Sequence, residues 1–412
     1  MDINKYKSNS FSVWPFVLVL ATAILCSAVP RSAQAQDWRF EPIVRGGAEY
    51  DDNGTLAART DEEVELTGYL IDLWANINYT SPKATFFLQP RAVLRNYPDE
   101  SEFDTNDYRL VSRFSRQGQS NTIGFRGRFD RQSIRTAERS NVDFEIEDPD
   151  EISEDSTGRV FLSGTRNRLR FTPYWDFQWS DVSSVRTELD YFDVGYDNVF
   201  AGLLVDYTDA RLNLNYRRKF SRVNSALVTA TARRYDADNA RGTITGYGLM
   251  AGFDYSLSQK TRVKAMFGFE DAEQSGSQID PEPIATITLS RNLQTIRMFA
   301  QYRRSISGGG GGGVSLRDSF NLNFVRDLSE RIDAGLGVRA YRASGADDTT
   351  SIDDRNYVQL QSTFLWYLSR SFAIEMDYRY TVNDRSETFG GRSNSNNVVL
   401  WFVYQPNTIP RL

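Results

Sequence analysis

The stretch Tyr69-Leu70-Ile71-Asp72-Leu73-Trp74-Ala75-Asn76-Ile77-Asn78-Tyr79 decides the fold. Its odd-numbered positions, Tyr69, Ile71, Leu73, Ala75, Ile77 and Tyr79, form one unbroken greasy face, and Asp72, Trp74, Asn76 and Asn78 share the other. A period of two is the mark of a strand whose faces meet different surroundings. The next segment repeats it, with Phe86, Leu88, Pro90, Ala92 and Leu94 opposing Thr85, Gln89, Arg91 and Arg95. So do Ile123, Phe125, Gly127 and Phe129 against Arg126, Arg128 and Asp130, and Leu169, Phe171, Pro173, Trp175, Phe177 and Trp179 against Arg168, Arg170, Asp176 and Gln178. Near the C-terminus Phe372, Ile374, Met376, Tyr378 and Tyr380 oppose Glu375, Asp377 and Arg379.

Between Phe40 and Tyr404 this pattern predicts about eighteen strands of roughly ten residues, long enough to cross a membrane when tilted. An even count returns both chain ends to one side. Connections give an independent sign. Short turns at Ser81-Pro82-Lys83, Gln117–Ser120, Ser180–Val182, Leu257–Lys260, Asp327–Glu330 and Ser369-Arg370 interleave with longer stretches. These run over Pro98–Thr105, Ser133–Gly164, Asp197–Asp206, Asp236–Thr243, Ala272–Glu282, Ile306–Ser315, Ala343–Asp354 and Val382–Ser395. A soluble sandwich or propeller also alternates, but it does not need one short and one long rim. The expected fold is all-β: a single transmembrane antiparallel β-barrel of about 18 strands (roughly 16–18), with short periplasmic turns and long outer loops.

Ahead of the barrel, Lys5 and Lys7 precede an apolar run from Phe16 to Leu25, and Ala33-Gln34-Ala35 supplies the small residues a signal peptidase reads. The run is shorter than the ~20 residues of a membrane-spanning helix. Residues 1–35 are therefore read as a cleaved secretory signal peptide and residues 36–412 as one barrel domain, placed in the bacterial outer membrane. The single cysteine, Cys26, lies in the apolar run without the small residue before it that lipoprotein processing requires. The mature chain then has no thiol for a disulfide or a metal.

The chain holds 0 His among 412 residues, which excludes Ser-His-Asp and Cys-His nucleophiles, His-ligated zinc and proximal-His haem. Its net charge of −6 leaves no basic footprint for nucleic acid. No cofactor, metal site or enzymatic activity is expected. A glycosidase built from carboxylates alone, with Asp176 and Glu188 chosen by parity, is the residual enzymatic reading.

If the apolar face meets lipid, the polar face lines a lumen, and that face is rich in arginine: Arg91, Arg95, Arg109, Arg113, Arg126, Arg128, Arg168, Arg170 and Arg186 in the first half, with Arg262, Lys264, Arg297, Arg303, Arg339 and Arg379 later. Such charges either pair with acids across strands and fill the interior, or form a ladder of donors for an anionic solute. Trp74, Phe87, Tyr174 and Phe192 share the inward parity and offer either stacking faces for sugar rings or simple packing. The longest loop is acidic, with Glu138, Asp143, Glu145, Glu147, Asp148, Asp150, Glu151, Glu154 and Asp155. It reads as a solvated loop, or as a divalent-cation bridge to lipopolysaccharide phosphates. Six glycines, Gly308–Gly313, lack the Lys-Ser/Thr of a phosphate cradle and read as a flexible loop tip. Leu400, Phe402 and Tyr404 give the terminal aromatic pattern that the barrel-assembly machinery reads, although Gln405–Leu412 extends past it.

Two local patterns carry a family resemblance. Gly47-Ala48-Glu49-Tyr50-Asp51-Asp52-Asn53 resembles the opening Tyr-Asp-Asp-Asn signature of the outer-membrane β-barrel porins found with exopolysaccharide and capsule operons, and Arg166-Asn167-Arg168-Leu169 leading to Pro173 resembles that family's middle strand. The resemblance implies export of an exopolysaccharide, made and pumped by other proteins, through the barrel. Tyr50 to Asn53 also reads simply as a girdle aromatic followed by a polar loop start. The leading expectation is a conduit for an anionic exopolysaccharide. A general diffusion porin for small anions and a structural or adhesive barrel without transport are the alternatives. Expected partners are outer-membrane lipid and lipopolysaccharide, the polysaccharide, periplasmic export components and the barrel-assembly machinery, and no nucleic acid.

Overall fold

The computed structural model describes residues 37–139, 156–157, 164–199, 204–238, 243–274, 277–345, 354–385 and 391–406. The signal peptide expected over residues 1–35 and most of the acidic loop, Asp143 to Asp155, lie outside them.

Eighteen strands follow one another along the chain. They are β1 (Asp37–Asp51), β2 (Leu66–Thr80), β3 (Ala84–Asn96), β4 (Thr105–Gln117), β5 (Asn121–Ser133) and β6 (Thr165–Ser180). Next come β7 (Ser183–Asp197), β8 (Tyr207–Lys219), β9 (Asn224–Ala237), β10 (Thr243–Ser258), β11 (Thr261–Gln274) and β12 (Ser277–Asn292). The last are β13 (Ile296–Gly309), β14 (Gly313–Ser329), β15 (Ile332–Gly345), β16 (Arg355–Tyr367), β17 (Phe372–Arg385) and β18 (Arg392–Tyr404). A single helical turn, α1 (Ile134–Ala137), follows β5, capped by the Ser133 side chain accepting from the Thr136 amide. Each strand pairs antiparallel with its sequence neighbours, and β1 closes on β18 from Val44↔Tyr404 to Asp51↔Asn397. Closure leaves no free sheet edge. Pairing lapses beside Pro90 in β3 and Pro173 in β6, where no N–H is available.

The eighteen antiparallel strands and the short turns match the sequence expectation. Two connections expected to be long do not. Ala272–Glu282 is almost wholly strand, since β11 ends at Gln274 and β12 begins at Ser277. Ile306–Ser315 is likewise a strand hairpin, with Ser307↔Ser315 and Gly309↔Gly313 paired, and only Gly310 to Gly312 form its turn. Polar and glycine-rich composition reads as loop in isolation, but the ladder continues wherever a partner strand satisfies the backbone.

Parity sorts the side chains as the alternation predicts. Leu169, Phe171, Leu212, Leu214, Leu249, Phe267, Met376 and Leu400 are exposed on the outside. At the short-turn rim this belt ends in paired aromatics: Trp38 on Tyr79 at 4.8 Å, Trp179 on Tyr216 at 5.7 Å and Phe372 on Tyr404 at 5.0 Å between centroids. Tyr50, Tyr69 and Tyr247 mark the opposite rim. Soluble monomers rarely expose contiguous apolar patches beyond a few hundred Å². A belt that encircles a closed barrel between two aromatic girdles is suited to a lipid bilayer. The buried residues are inverted relative to a soluble core, because Asp72, Asp130, Arg168, Gln359 and Asn397 lie inside.

Candidate functional site: a charged lumen narrowed from within

Register decides what the inward arginines meet. Arg91 in β3 and Arg45 in β1 both donate to Asp72 in β2, at 2.8 and 2.6 Å, and Arg45 also reaches Glu375 in β17 at 2.9 Å. Asp130 in β5 is shared by three guanidiniums: Arg109 at 3.1 Å, Arg128 at 2.7 Å and Arg168 at 2.7 Å. Glu188 in β7 lies between Arg126 at 3.0 Å and Arg186 at 2.9 Å. Arg170 binds Asp190 at 2.9 Å, and Arg95 binds Asp107. Asp209 takes Arg211 and Arg233, and Asp254 takes Arg217 and Arg262. Eight of the nine first-half arginines thus pair with a carboxylate of the chain, six across strands and two, Arg128 and Arg186, with an acid two residues along their own strand, and Arg113 packs over the Phe87 ring at 5.3 Å. Five of these carboxylates serve two or three arginines each; the clusters on Asp130, Glu188, Asp209 and Asp254 hold more guanidiniums than carboxylates, whereas Arg45 brings Glu375 to the Asp72 cluster and balances it.

The inward aromatics are covered by the same arginines. Arg45 and Arg91 lie 4.9 and 5.1 Å from the Trp74 ring, Arg186 lies 4.2 Å from Tyr174, and Arg170 lies 4.8 Å from Phe192. Guanidinium stacking of this kind fixes the fork while leaving its edge available.

The Tyr50–Asn53 motif is a structural socket. Tyr50 points outward, whereas Asp51 is buried and accepts from Arg139 at 3.0 Å and from the Ser395 hydroxyl at 2.8 Å. Asp52 accepts from the Asn396 amide and side chain across the β1–β18 seam, and Asn53 donates to the Ala57 and Asn394 carbonyls. Arg139 also donates to the carbonyls of Asn53 and Gly54. The chain leaving β5 therefore turns into the barrel through α1 and is pinned beside the β1–β18 seam. Arg135 of α1 stacks 5.0 Å from the Tyr97 ring and donates to its hydroxyl, which in turn donates to Glu49 at 2.6 Å. Burial, with the Glu49 carboxylate beside it, raises the Tyr97 pKa and keeps that proton in place. Glu138, expected in a solvated acidic loop, is instead buried, accepting from Arg166 at 3.1 Å, Tyr196 at 3.2 Å and the Thr157 amide at 2.6 Å. Arg166 and Arg168 of the second motif are inward too, and Leu169 faces out.

A second element enters from the other side. The β13–β14 hairpin leans across the lumen onto β7–β9, where the Tyr235 hydroxyl donates to the Gly309 carbonyl at 2.8 Å and Arg233 donates to the Ile306 carbonyl at 2.9 Å. The Val205 amide donates to the Gly310 carbonyl at 2.9 Å. Ile306 and Val314 join Val194, Tyr207, Tyr235 and Ile244 in an apolar cluster inside the barrel. Glycine is required for the approach: a Cβ on Gly308 would stand 2.6 Å from the Tyr235 ring, and one on Gly310 would stand 2.3 Å from the Tyr196 hydroxyl oxygen. The glycine run is therefore a packed constriction and not a free loop tip.

Below this hairpin lies a cavity of 470 Å³, running from Ser184 near the short-turn rim to Gly308. Arg126, Arg170 and Arg186 line it, together with Arg211, Arg217, Lys264, Arg303 and Arg304; the acids are Asp176, Glu188, Asp190, Asp209 and Glu270. Eight cationic side chains face five carboxylates, so the cavity wall is net positive although the chain is net negative. Glu188, one of the pair considered for glycoside chemistry, is held between two guanidiniums.

No family model and no curated protein matches this chain. Among solved structures, the outer membrane channel DcaP of Acinetobacter baumannii is 12% identical with a TM-score of 0.44, covering 92% of this chain and 99% of that one. A BenF-like porin from Pseudomonas fluorescens is 8% identical with a TM-score of 0.47, covering 90% and 99%. OccK2 of Pseudomonas aeruginosa, in complex with glucuronate, is 7% identical with a TM-score of 0.45, covering 90% and 99%. At these values no residue of one chain is matched to a residue of another.

Proposed function

We propose that the protein is a bacterial outer-membrane channel that passes small anionic solutes. The observation that carries this reading is the shared carboxylate: Asp130, Glu188, Asp209 and Asp254 each bind more than one arginine and leave a cationic surplus along the wall. A water-filled lumen with fixed surplus charge lowers the barrier for counter-ions and raises it for co-ions. Pairing does not cancel that surplus. It holds each guanidinium in place, so that a passing anion meets pre-oriented donors one after another without a single deep site. The apolar belt and aromatic girdles support placement in a lipid bilayer, and the apolar run before Ala33-Gln34-Ala35 supports secretion to the outer membrane.

Passage of an anionic exopolysaccharide is the second reading, favoured by the family-like motifs at Tyr50–Asn53 and Arg166–Leu169. Two features of the lumen weigh against a polymer. The β13–β14 hairpin and the α1 segment both occupy the long-loop end, and arginines already cover the rings of Trp74, Phe87, Tyr174 and Phe192.

Flux into proteoliposomes separates these readings. Gluconate is expected to enter several-fold faster than a neutral sugar alcohol of equal size, and an acidic oligosaccharide is expected to stay outside. Equal rates for the charged and neutral solutes would sink the anion reading, and entry of the oligosaccharide would restore the polymer.

A further inference from the structure

Four neighbouring turns of the short-turn rim form one continuous strip. The Lys219 amide donates to the Val182 carbonyl at 2.7 Å, the Ser256 amide to the Val223 carbonyl at 2.8 Å, and the Asn292 amide to the Lys260 carbonyl at 2.9 Å. These bonds tie the β6–β7, β8–β9, β10–β11 and β12–β13 connections edge to edge. The strip is basic. Arg218, Lys219, Arg222, Lys260 and Arg291 are all exposed on it, and Asp181 is the one acid in the turns themselves. Asp254 on β10 faces the lumen, where Arg217 and Arg262 hold it. Among the described residues, none of the five basic side chains forms an ion pair or a side-chain hydrogen bond.

Parity decides which way they point. Arg218 shares the β8 face of Leu212, Leu214 and Tyr216, and Arg291 shares the β12 face of Ile287 and Leu289, so both end lipid-facing rows. Apolar side chains are interleaved with them at and past the strand ends. Trp179, Val182 and Val223 are exposed there, as are Phe220 by 66% and Leu257 by 59%. A phenylalanine so exposed in a turn is costly in water and is at home in the interfacial layer of a bilayer. At the opposite rim the sign reverses, because the outward rows of β7 and β9 finish in Asp193, Asp197 and Asp236, with Arg234 the one cation.

Long basic side chains set among interfacial apolar groups lie at the depth of lipid phosphates. A periplasmic protein would meet the turn tips but not Arg218 and Arg291, whose rows belong to the bilayer. We propose that the short-turn rim from β8 to β12 is a docking surface for anionic phospholipids of the periplasmic leaflet. Phosphates lie against Arg218, Lys219, Arg222, Lys260 and Arg291, while Trp179, Phe220 and Leu257 sit among the glycerol and upper acyl groups. Five cations acting together favour a headgroup with net negative charge over a zwitterionic one. The inference rests on the placement of the barrel in a bilayer and is independent of what the lumen conducts.

The test is to refold the full mature chain into vesicles of equal phosphatidylglycerol and phosphatidylethanolamine, extract it in mild detergent, and quantify the lipids that stay bound by mass spectrometry. Phosphatidylglycerol is expected to be enriched about fivefold or more over phosphatidylethanolamine, and the ratio is expected to fall at high salt. The triple variant Arg222→Gln, Lys260→Gln and Arg291→Gln should bring the ratio close to one. Phe220→Ser, which leaves the charge intact, should lower the amount of phosphatidylglycerol retained, and it serves if the triple variant fails to fold. No enrichment in the wild type, or an enrichment that survives both variants, overturns the proposal. A parallel arm offers lipid A. Retention of lipid A in place of phosphatidylglycerol also overturns it, since the patch would then belong to the outer leaflet.

Discussion

Deleting Gly309–Gly312 is expected to raise single-channel conductance on the order of twofold or more, because conductance follows the narrowest cross-section of a water-filled barrel. The shortened hairpin can still close, since Gly308, Gly313 and Val314 then make a three-residue turn between Ser307 and Ser315, with glycine free to take the left-handed position. Its tip can no longer reach the Tyr235 hydroxyl or the Val205 amide, although Ile306 stays against Arg233. The bonds from Tyr235 to Gly309 and from Val205 to Gly310 disappear with their acceptors. The β13–β14 ladder from Ser307↔Ser315 downward is untouched, so the barrel is expected to insert normally. A milder variant, Gly310→Val, meets the Tyr196 hydroxyl and should displace the tip without shortening it. Planar-bilayer recording of both variants checks the expectation. Unchanged conductance in both would show that the hairpin does not set the limiting width.

Asp130→Asn is expected to cost about 3–5 kcal/mol, the range for removing one partner of a buried ion pair. The cost is at the upper end because three arginines lose their shared counter-charge at once, and Arg168 is only 3% exposed. The amide keeps the size of the carboxylate but accepts with one oxygen where three guanidiniums converge. Denaturant midpoints of the folded barrel in detergent, read on the mature wild type and the variant together, give the change. If the variant is recovered folded, its lumen carries one more uncompensated charge and its preference for anions should increase. A shift below about 1 kcal/mol would mean that water already screens this cluster, as at an exposed pair.

Much of the fold could be read from the chain because a barrel strand repeats one simple rule. Tyr69 to Tyr79 announces its two faces by parity alone, and the strand count, the antiparallel order and the lipid-facing belt follow from repeating that observation. Parity also put Arg91, Arg126 and Arg168 inside, but it could not name their partners. That Asp130 serves Arg109, Arg128 and Arg168 depends on cross-strand register, which turns and bulges set residue by residue. The glycine run differs from its sequence expectation for a related reason. Gly308 to Gly313 has the composition of a flexible tip, and its packed role depends on Tyr196 and Tyr235, which lie far away in sequence. Glu138 looked like one acid among many in a solvated run until α1 turned inward and brought it to Arg166.

The zero-current potential of the mature wild-type channel across a potassium chloride gradient tests the central claim most directly. The surplus of guanidinium over carboxylate along the lumen predicts a potential of the sign set by chloride, shrinking as salt screens the wall. A potential of the sign set by potassium would contradict the account, since eight cationic side chains face five carboxylates along the cavity wall.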